Sequence, residues 1–329
     1  MRESVNVYQY PTQVILFSEN RSFGDSVAFS LAHTRRIKTF TDPRALALWI
    51  EDNISYPDPM QVRIEANRPG PRRYFSVETD RIYSRAFDKG RFALPAVLVV
   101  TNDNDKIDGL TLCRQLADFP IKKILLLNKF RDFDAIDALN EGIIDQCIGA
   151  SDRDILNDLE IAIKNMEMRH FQEKSIVPLQ ILTKSGFNFL SDKKFARLIE
   201  EVITENSFAE YYWFDHTNGI LFVNPNGECK LMVIETEASM INHLEDAQDA
   251  GAPRELQEAL RDFRLIPLFV DGDERSSPQY DKWESYCRPA QRCETTQPIF
   301  WALFEFPKKY SPGEIYSFNE HLQSIAEPL

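Results

Sequence analysis

The stretch Val97-Leu-Val-Val-Thr-Asn-Asp-Asn-Asp-Lys-Ile-Asp-Gly-Leu-Thr-Leu-Cys-Arg114 decides the fold. It opens inside an apolar run, Pro95 to Val100, with no polar alternation, the mark of a strand buried on both faces. The Asn/Asp tract after Thr101 ends that run, because short polar side chains bond nearby backbone and compete with the ladder. Apolar residues then return from Leu110 to Leu116 at helical spacing. Strand, polar loop and helix in this order form a βα unit, and the flanking sequence repeats it.

Upstream, Val14 to Phe17 reads as a first strand and Phe23 to Ala32 as its helix. Arg36 to Phe40 is a second strand, after which Thr41-Asp42-Pro43 opens a helix, Asp42 capping free N–H groups and Pro43 fitting the first helical position. Downstream, Lys123 to Leu127 is a fourth strand, Asp134 to Leu139 a helix stopped at Gly142, and Ile143 to Ile148 a fifth strand. A long amphipathic helix runs from Asp152 to about Glu173, its apolar positions being Ile155, Leu156, Leu159, Ile163 and Met166. Five strands alternating with five helices predict a parallel sheet covered on both faces. Ligands of such sheets bind beyond the carboxyl ends of the strands. That edge gathers Ser18-Glu19-Asn20, Thr101 to Asp105, Asn128-Lys129 and Gly149-Ala-Ser151.

Residues 54–95 break the alternation. They carry Arg63, Arg68, Arg72, Arg73, Arg81, Arg85, Lys89 and Arg91 against five acidic residues, and read as a solvated lid or a contact for an acidic partner, with a hairpin expected between Gln61–Ile64 and Tyr74–Val77. Residues 175–190 read as a junction. Beyond it a helix through Phe195, Leu198, Ile199 and Val202 leads into runs at Tyr211–Phe214, Ile220–Val223 and Lys230–Ile234. Asn224-Pro-Asn-Gly227 has the composition of a tight turn, so these three form an antiparallel meander. Helices over 238–250 and 253–263, strands at Ile266–Val270 and Phe300–Phe306, and a helix around Tyr316 to Ile325 complete an α+β half. The expected domains are 12–174, with the insertion at 54–95, and 178–329.

Of 329 residues, 51 are acidic and 38 basic, a net charge of −13, which argues against a broad nucleic-acid face. No apolar run reaches the length of a membrane span, and the first residues lack the apolar core of a signal peptide, so a cytoplasmic protein without membrane contact is expected. The five cysteines (113, 147, 229, 287, 293) show no CxxC pair, and free thiols are expected.

The local matches are Val14-Ile-Leu-Phe-Ser-Glu19, the stretch Val97 to Arg114, and Lys123 through Asp145 with its Ala138-Leu-Asn-Glu-Gly-Ile-Ile-Asp145 ending. Together they resemble the receiver domain of two-component response regulators over about residues 12–174. The layout of an enlarged receiver before an α/β output half is similar to that of a quorum-sensing response regulator. The resemblance implies a flavodoxin-like (βα)5 domain and an output domain with a largely antiparallel sheet. It also implies a histidine kinase or other protein partner, a homodimer, and Mg²⁺ held by acidic residues after strand one and an acceptor Asp ending strand three. There the metal neutralises the transferring phosphoryl group.

Laid on that pattern, Glu19 and Asn20 fill the acidic pair and Thr101 the acceptor position, Leu127 replaces the hydroxyl after strand four, and Gly149 or Ala150 replaces the Lys after strand five. Asp103 and Asp108 are the candidate displaced acceptors, and Glu19 with Asp103 is the pair left for a weak divalent site. Asp105 shares that loop. The expectation is a degenerate receiver acting in protein interaction or dimerisation and controlling its output half. The alternatives are a regulator phosphorylated on a displaced Asp, or an enzyme or nucleotide-binding activity in 178–329.

Other constellations carry less. No H-E-x-x-H, G-x-S-x-G or Walker sequence accompanies His33, His170, His216, His243 or His321, so surface or half-buried histidines are expected and catalysis is not. Asp271 and Asp273 suit an acidic turn or a metal pair equally. Tyr211, Tyr212, Trp213 and Phe214 are expected in a strand and core.

Overall fold

The structure, a computed structural model, describes residues 4–32, 35–54, 80–102, 108–127, 133–149, 154–269 and 280–324. The chain begins with β1 (Tyr8–Gln9), β2 (Gln13–Phe17), α1 (Arg21–Leu31), β3 (Ile37–Phe40), α2 (Pro43–Asn53) and α3 (Asp80–Ser84). It continues through β4 (Pro95–Asn102), α4 (Gly109–Gln115), β5 (Lys122–Leu127), α5 (Phe133–Asn140), β6 (Gln146–Gly149) and α6 (Ile155–Lys184). Next come α7 (Lys193–Asn206), β7 (Glu210–Phe214), β8 (Gly219–Val223), β9 (Cys229–Thr236), α8 (Glu237–Asp249) and α9 (Arg254–Arg261). The last elements are β10 (Leu265–Pro267), α10 (Trp283–Tyr286), β11 (Cys287–Pro289), β12 (Gln291–Cys293), β13 (Ile299–Glu305) and α11 (Phe318–Gln323). Two compact units form, one from the described residues of 10–54, 89–174 and 320–324, the other from those of 4–9, 80–88 and 175–319.

The first unit is built on a parallel sheet in the order β3-β2-β4-β5-β6, the flavodoxin-like order. Strand periodicity divides its core in two. Ile15, Phe17, Leu98, Val100 and Leu125 face one side, where Leu46 and Ile50 of α2, Leu110 and Cys113 of α4, and Ala135 and Ala138 of α5 cover them. Val14, Leu16, Val97, Val99 and Ile124 face the other, under Val27 and Leu31 of α1 and Leu159, Ile163 and Met166 of α6. Each large side chain so buried contributes about 1.5–3 kcal/mol, which explains the near absence of polar residues in these strands.

Several expectations are corrected here. The expected junction at 175–190 is in large part helix, since α6 runs unbroken to Lys184 with Pro178 inside it. Proline removes one helical N–H, and a buried stripe of Ser175, Pro178 and Leu182 offsets that cost. The apolar positions Ile163 and Met166 of α6 are 0% and 4% exposed, packed in the parallel unit's own core. Within the insertion, Arg91 is fully buried, its guanidinium 4.0 Å from the Phe92 ring centre, and so is not part of a solvated lid. The hairpin expected within 61–77 lies outside the described residues.

The second unit carries a six-stranded antiparallel sheet in the order β1-β7-β8-β9-β13-β12 and a separate β10–β11 pair. Every residue of β7, including Tyr211, Tyr212, Trp213 and Phe214, is buried, as the aromatic run predicts. The β8–β9 turn closes with Gly227 at φ +86°, its N–H donating to the Asn224 carbonyl at 3.0 Å, so glycine is needed there. β1 was not expected. Two residues long, it pairs Tyr8 with Tyr212, while the Val7 N–H donates to Ser175 Oγ at 3.0 Å. β11 and β12 were also unforeseen, and the five cysteines are free thiols.

Candidate functional site

The parallel register pairs Phe17 with Val100, Asn102 with Leu127, and Leu127 with Gly149, so the residues that follow β2, β4, β5 and β6 meet at one edge. Ser18 is buried, and its Oγ accepts the Asn20 N–H at 3.2 Å. Asn20 caps α1, its Oδ1 accepting from the Phe23 N–H at 3.2 Å. That bond uses the oxygen an acidic residue here would offer to a cation. Glu19 is half-buried, and its Oε2 is shielded from solvent with no hydrogen-bond partner among the described residues.

Thr101 stands one residue beyond the Val100–Phe17 pair, 4% exposed, and its Oγ1 is also buried with no partner among the described residues. A threonine hydroxyl is neutral at physiological pH and forms no acyl phosphate, so this position supplies neither the charge nor the acceptor of a phosphorylated aspartate. Leu127, 8% exposed, closes β5 with an apolar side chain, and Gly149, buried, closes β6 with none. Neither can orient or neutralise a phosphoryl group.

Asp108 is exposed and caps α4. Its Oδ1 accepts from the Leu110 N–H at 3.1 Å, and its Oδ2 from the Thr111 N–H at 3.2 Å and the Thr111 hydroxyl at 2.7 Å. Those bonds give this carboxylate a structural duty. Gly109 follows in a tight place, since a Cβ there would stand 3.0 Å from Val100 Cγ1 and 3.3 Å from Leu125 Cδ1. Asp103, Asp105, Ala150, Asn128 and the Asp271–Asp273 pair lie outside the described residues.

Among the described residues no group of three His, Cys, Asp or Glu could hold a metal ion. After β2, Glu19 is a carboxylate but Asn20 is an amide, and Thr101 on β4 is a neutral hydroxyl, which is little charge for a hard divalent cation. Glu19, Asn20 and Thr101 by themselves therefore do not fit Mg²⁺. Lys123 is buried, but it lies at the opposite, amino end of β5. Burial pushes its pKa down, and its Nζ donates to the Ile121 carbonyl at 3.3 Å, so its charge stays away from the edge where the strands end. Burial pushes the Cys113 thiol up to about 12, which disfavours the thiolate form.

Two buried groups escaped sequence reasoning. Glu167 of α6 is ion-paired with Arg35 and accepts the Thr12 hydroxyl at 2.8 Å, a contact spanning 155 positions that no local pattern signals. His321 is 7% exposed against the Phe92 ring, contrary to the surface or half-buried histidine expected. Burial, then Arg36 and Arg91, lowers its pKa to about 4. His216 stacks on Tyr310, and His243 pairs with Glu235 at 3.0 Å. No described helix is long and apolar enough to cross a membrane.

No protein-family model and no curated protein matches the chain. Among solved structures it is similar to the Legionella pneumophila response regulator LqsR, with 23% identity over 99% of this chain and 97% of that one, at a TM-score of 0.78. Two isolated receiver domains match about half of it at 12% identity and a TM-score of 0.33. The Methanospirillum hungatei CheY-like domain covers 50% of this chain and 98% of its own, and the Vibrio parahaemolyticus domain of a putative Luxo repressor covers 50% and 95%. At that level of identity, the likeness to LqsR shows the fold alone: a flavodoxin-like parallel sheet followed in sequence by an antiparallel α+β region.

Proposed function

We propose that the chain is an atypical response regulator whose receiver-like region, residues 12–174, serves protein interaction or dimerisation and controls an output domain over 178–329. The observation that carries this reading is Thr101, a buried hydroxyl without a described partner at the position of the phosphorylated aspartate. Leu127 and Gly149 support it, because they remove the groups that would orient and neutralise a phosphoryl oxygen. Ile136 on α5 and Ile161 on α6, 54% and 51% exposed, are apolar surface of the kind a partner covers. The partner is a histidine kinase, another signalling protein or a second copy of the chain, met in the cytoplasm without membrane or nucleic acid.

The test is incubation of the full chain with Mg²⁺ and acetyl phosphate, followed by intact mass and light scattering. No stable adduct and a dimer at micromolar concentration are expected. A stoichiometric adduct mapped to Asp103 would establish the second reading, a displaced acceptor using Glu19 and Asp103 as a weak Mg²⁺ pair. The capping bonds of Asp108 weigh against that residue.

A further inference from the structure

A cavity of about 340 Å³ opens in the antiparallel unit beside the end of β13, where Tyr286, Arg288, Phe304, Phe306, Lys308 and Lys309 line it. Phe304 is buried, and the Arg288 guanidinium lies 5.6 Å from its ring centre. Arg288 Nη1 donates to the carbonyls of Cys287 at 2.8 Å and Ser285 at 3.3 Å, which fixes the guanidinium plane. Arg288, Lys308 and Lys309 make no ion pair among the described residues. The carboxylate at the rim, Glu305, is engaged by Lys230. Three cations with no ion-pair partner among the described residues line a cavity with an aromatic wall, in a chain of net charge −13.

Ordinary solvated lysines would not need that wall, and an apolar ligand would not need those charges. Three cations also exceed what one carboxylate neutralises, whereas a phosphate monoester carries about −1.5 to −2 at neutral pH. A guanidinium held in plane offers parallel N–H donors that match phosphate oxygens. Tyr286 and Phe306, both half-buried, present ring surface to a planar ligand. We propose that this cavity binds a small aromatic phosphate monoester, its phosphate on Arg288, Lys308 and Lys309 and its ring against Tyr286 and Phe306. The site is independent of the receiver reading and holds whether or not the parallel unit is phosphorylated.

Calorimetry on the full chain tests this with 1-naphthyl phosphate, against 1-naphthol and inorganic phosphate as its two halves. The whole ester should bind at least about tenfold more tightly than either half, and Arg288→Gln should weaken it by about tenfold or more, the worth of a charge-assisted fork. The double variant Lys308→Gln, Lys309→Gln changes two exposed side chains and keeps the test decisive if Arg288→Gln unfolds. It should weaken the ester and leave 1-naphthol binding unchanged. Absence of ester binding at millimolar concentration, inorganic phosphate binding as tightly as the ester, or equal affinity in the folded variants would each overturn the proposal.

Discussion

Gly109 approaches Thr101 so closely that a Cβ built on it would stand 3.1 Å from the Thr101 carbonyl oxygen. The first residue of α4 thus rests on the last turn of β4, and the edge that carries Thr101 is shaped by the absence of a side chain one element later. Gly109→Ala must push apart a strand and a helix, because the obstacles are backbone and short branched side chains. The expected cost is about 1–3 kcal/mol, read as a lower midpoint in urea with an unchanged slope. A neutral or stabilising result would show that α4 can slide.

Thr101→Val should behave oppositely. The hydroxyl is buried and has no described partner, so replacing it with a methyl of the same shape should be neutral or stabilising by about 0.5–1.5 kcal/mol. Thermal or urea denaturation measures this. A loss above that range would mean that the hydroxyl has an acceptor in the loop after Asn102.

Glu167 is 8% exposed and bound by Arg35 and Thr12, so Glu167→Ala leaves a largely buried guanidinium unpaired. Removing one partner of a buried pair costs about 3–5 kcal/mol, while the double variant Glu167→Leu, Arg35→Met should recover much of that loss. Double-mutant analysis of urea midpoints reads the coupling, and additive losses would contradict it.

His321 makes stability depend on pH. Its folded pKa is lowered to about 4, against an ordinary 6.5, so the unfolded chain binds the extra proton first. Its contribution is whole above pH 6.5 and falls as pH drops from 6.5 through 4. Between pH 7 and 4 the wild type should lose about 1–3 kcal/mol more than His321→Phe, which cannot titrate. Parallel pH profiles for the two proteins would refute the assignment.

Elements whose signal is local were legible in the sequence. The unbroken apolar runs of β2, β4 and β5 and the Asp42–Pro43 helix start state their structure within a few residues. The places of Thr101 near the end of β4, Leu127 at the end of β5 and Gly149 at the end of β6 followed from counting along those same elements. What escaped depends on distant partners. Pro178 reads as a helix end until the burial of Ser175 and Leu182 is known, and Tyr8–Gln9 is too short for any periodicity. Arg288 and Lys308 are unremarkable surface types until β11 and β13 bring them to one cavity.

The pairing of β1 with β7 has a consequence for synthesis. Gln9 Oε1 accepts the Tyr211 hydroxyl at 3.4 Å across 202 positions of chain. At about 5–20 residues per second, the first strand leaves the ribosome roughly 10–40 s before its partner exists. The parallel sheet is complete by Gly149 and can pair while translation proceeds. The antiparallel sheet instead keeps an open edge on β7 that β1 fills, so a bulky group attached just ahead of β1 should slow the closing of that edge and leave the parallel sheet untouched.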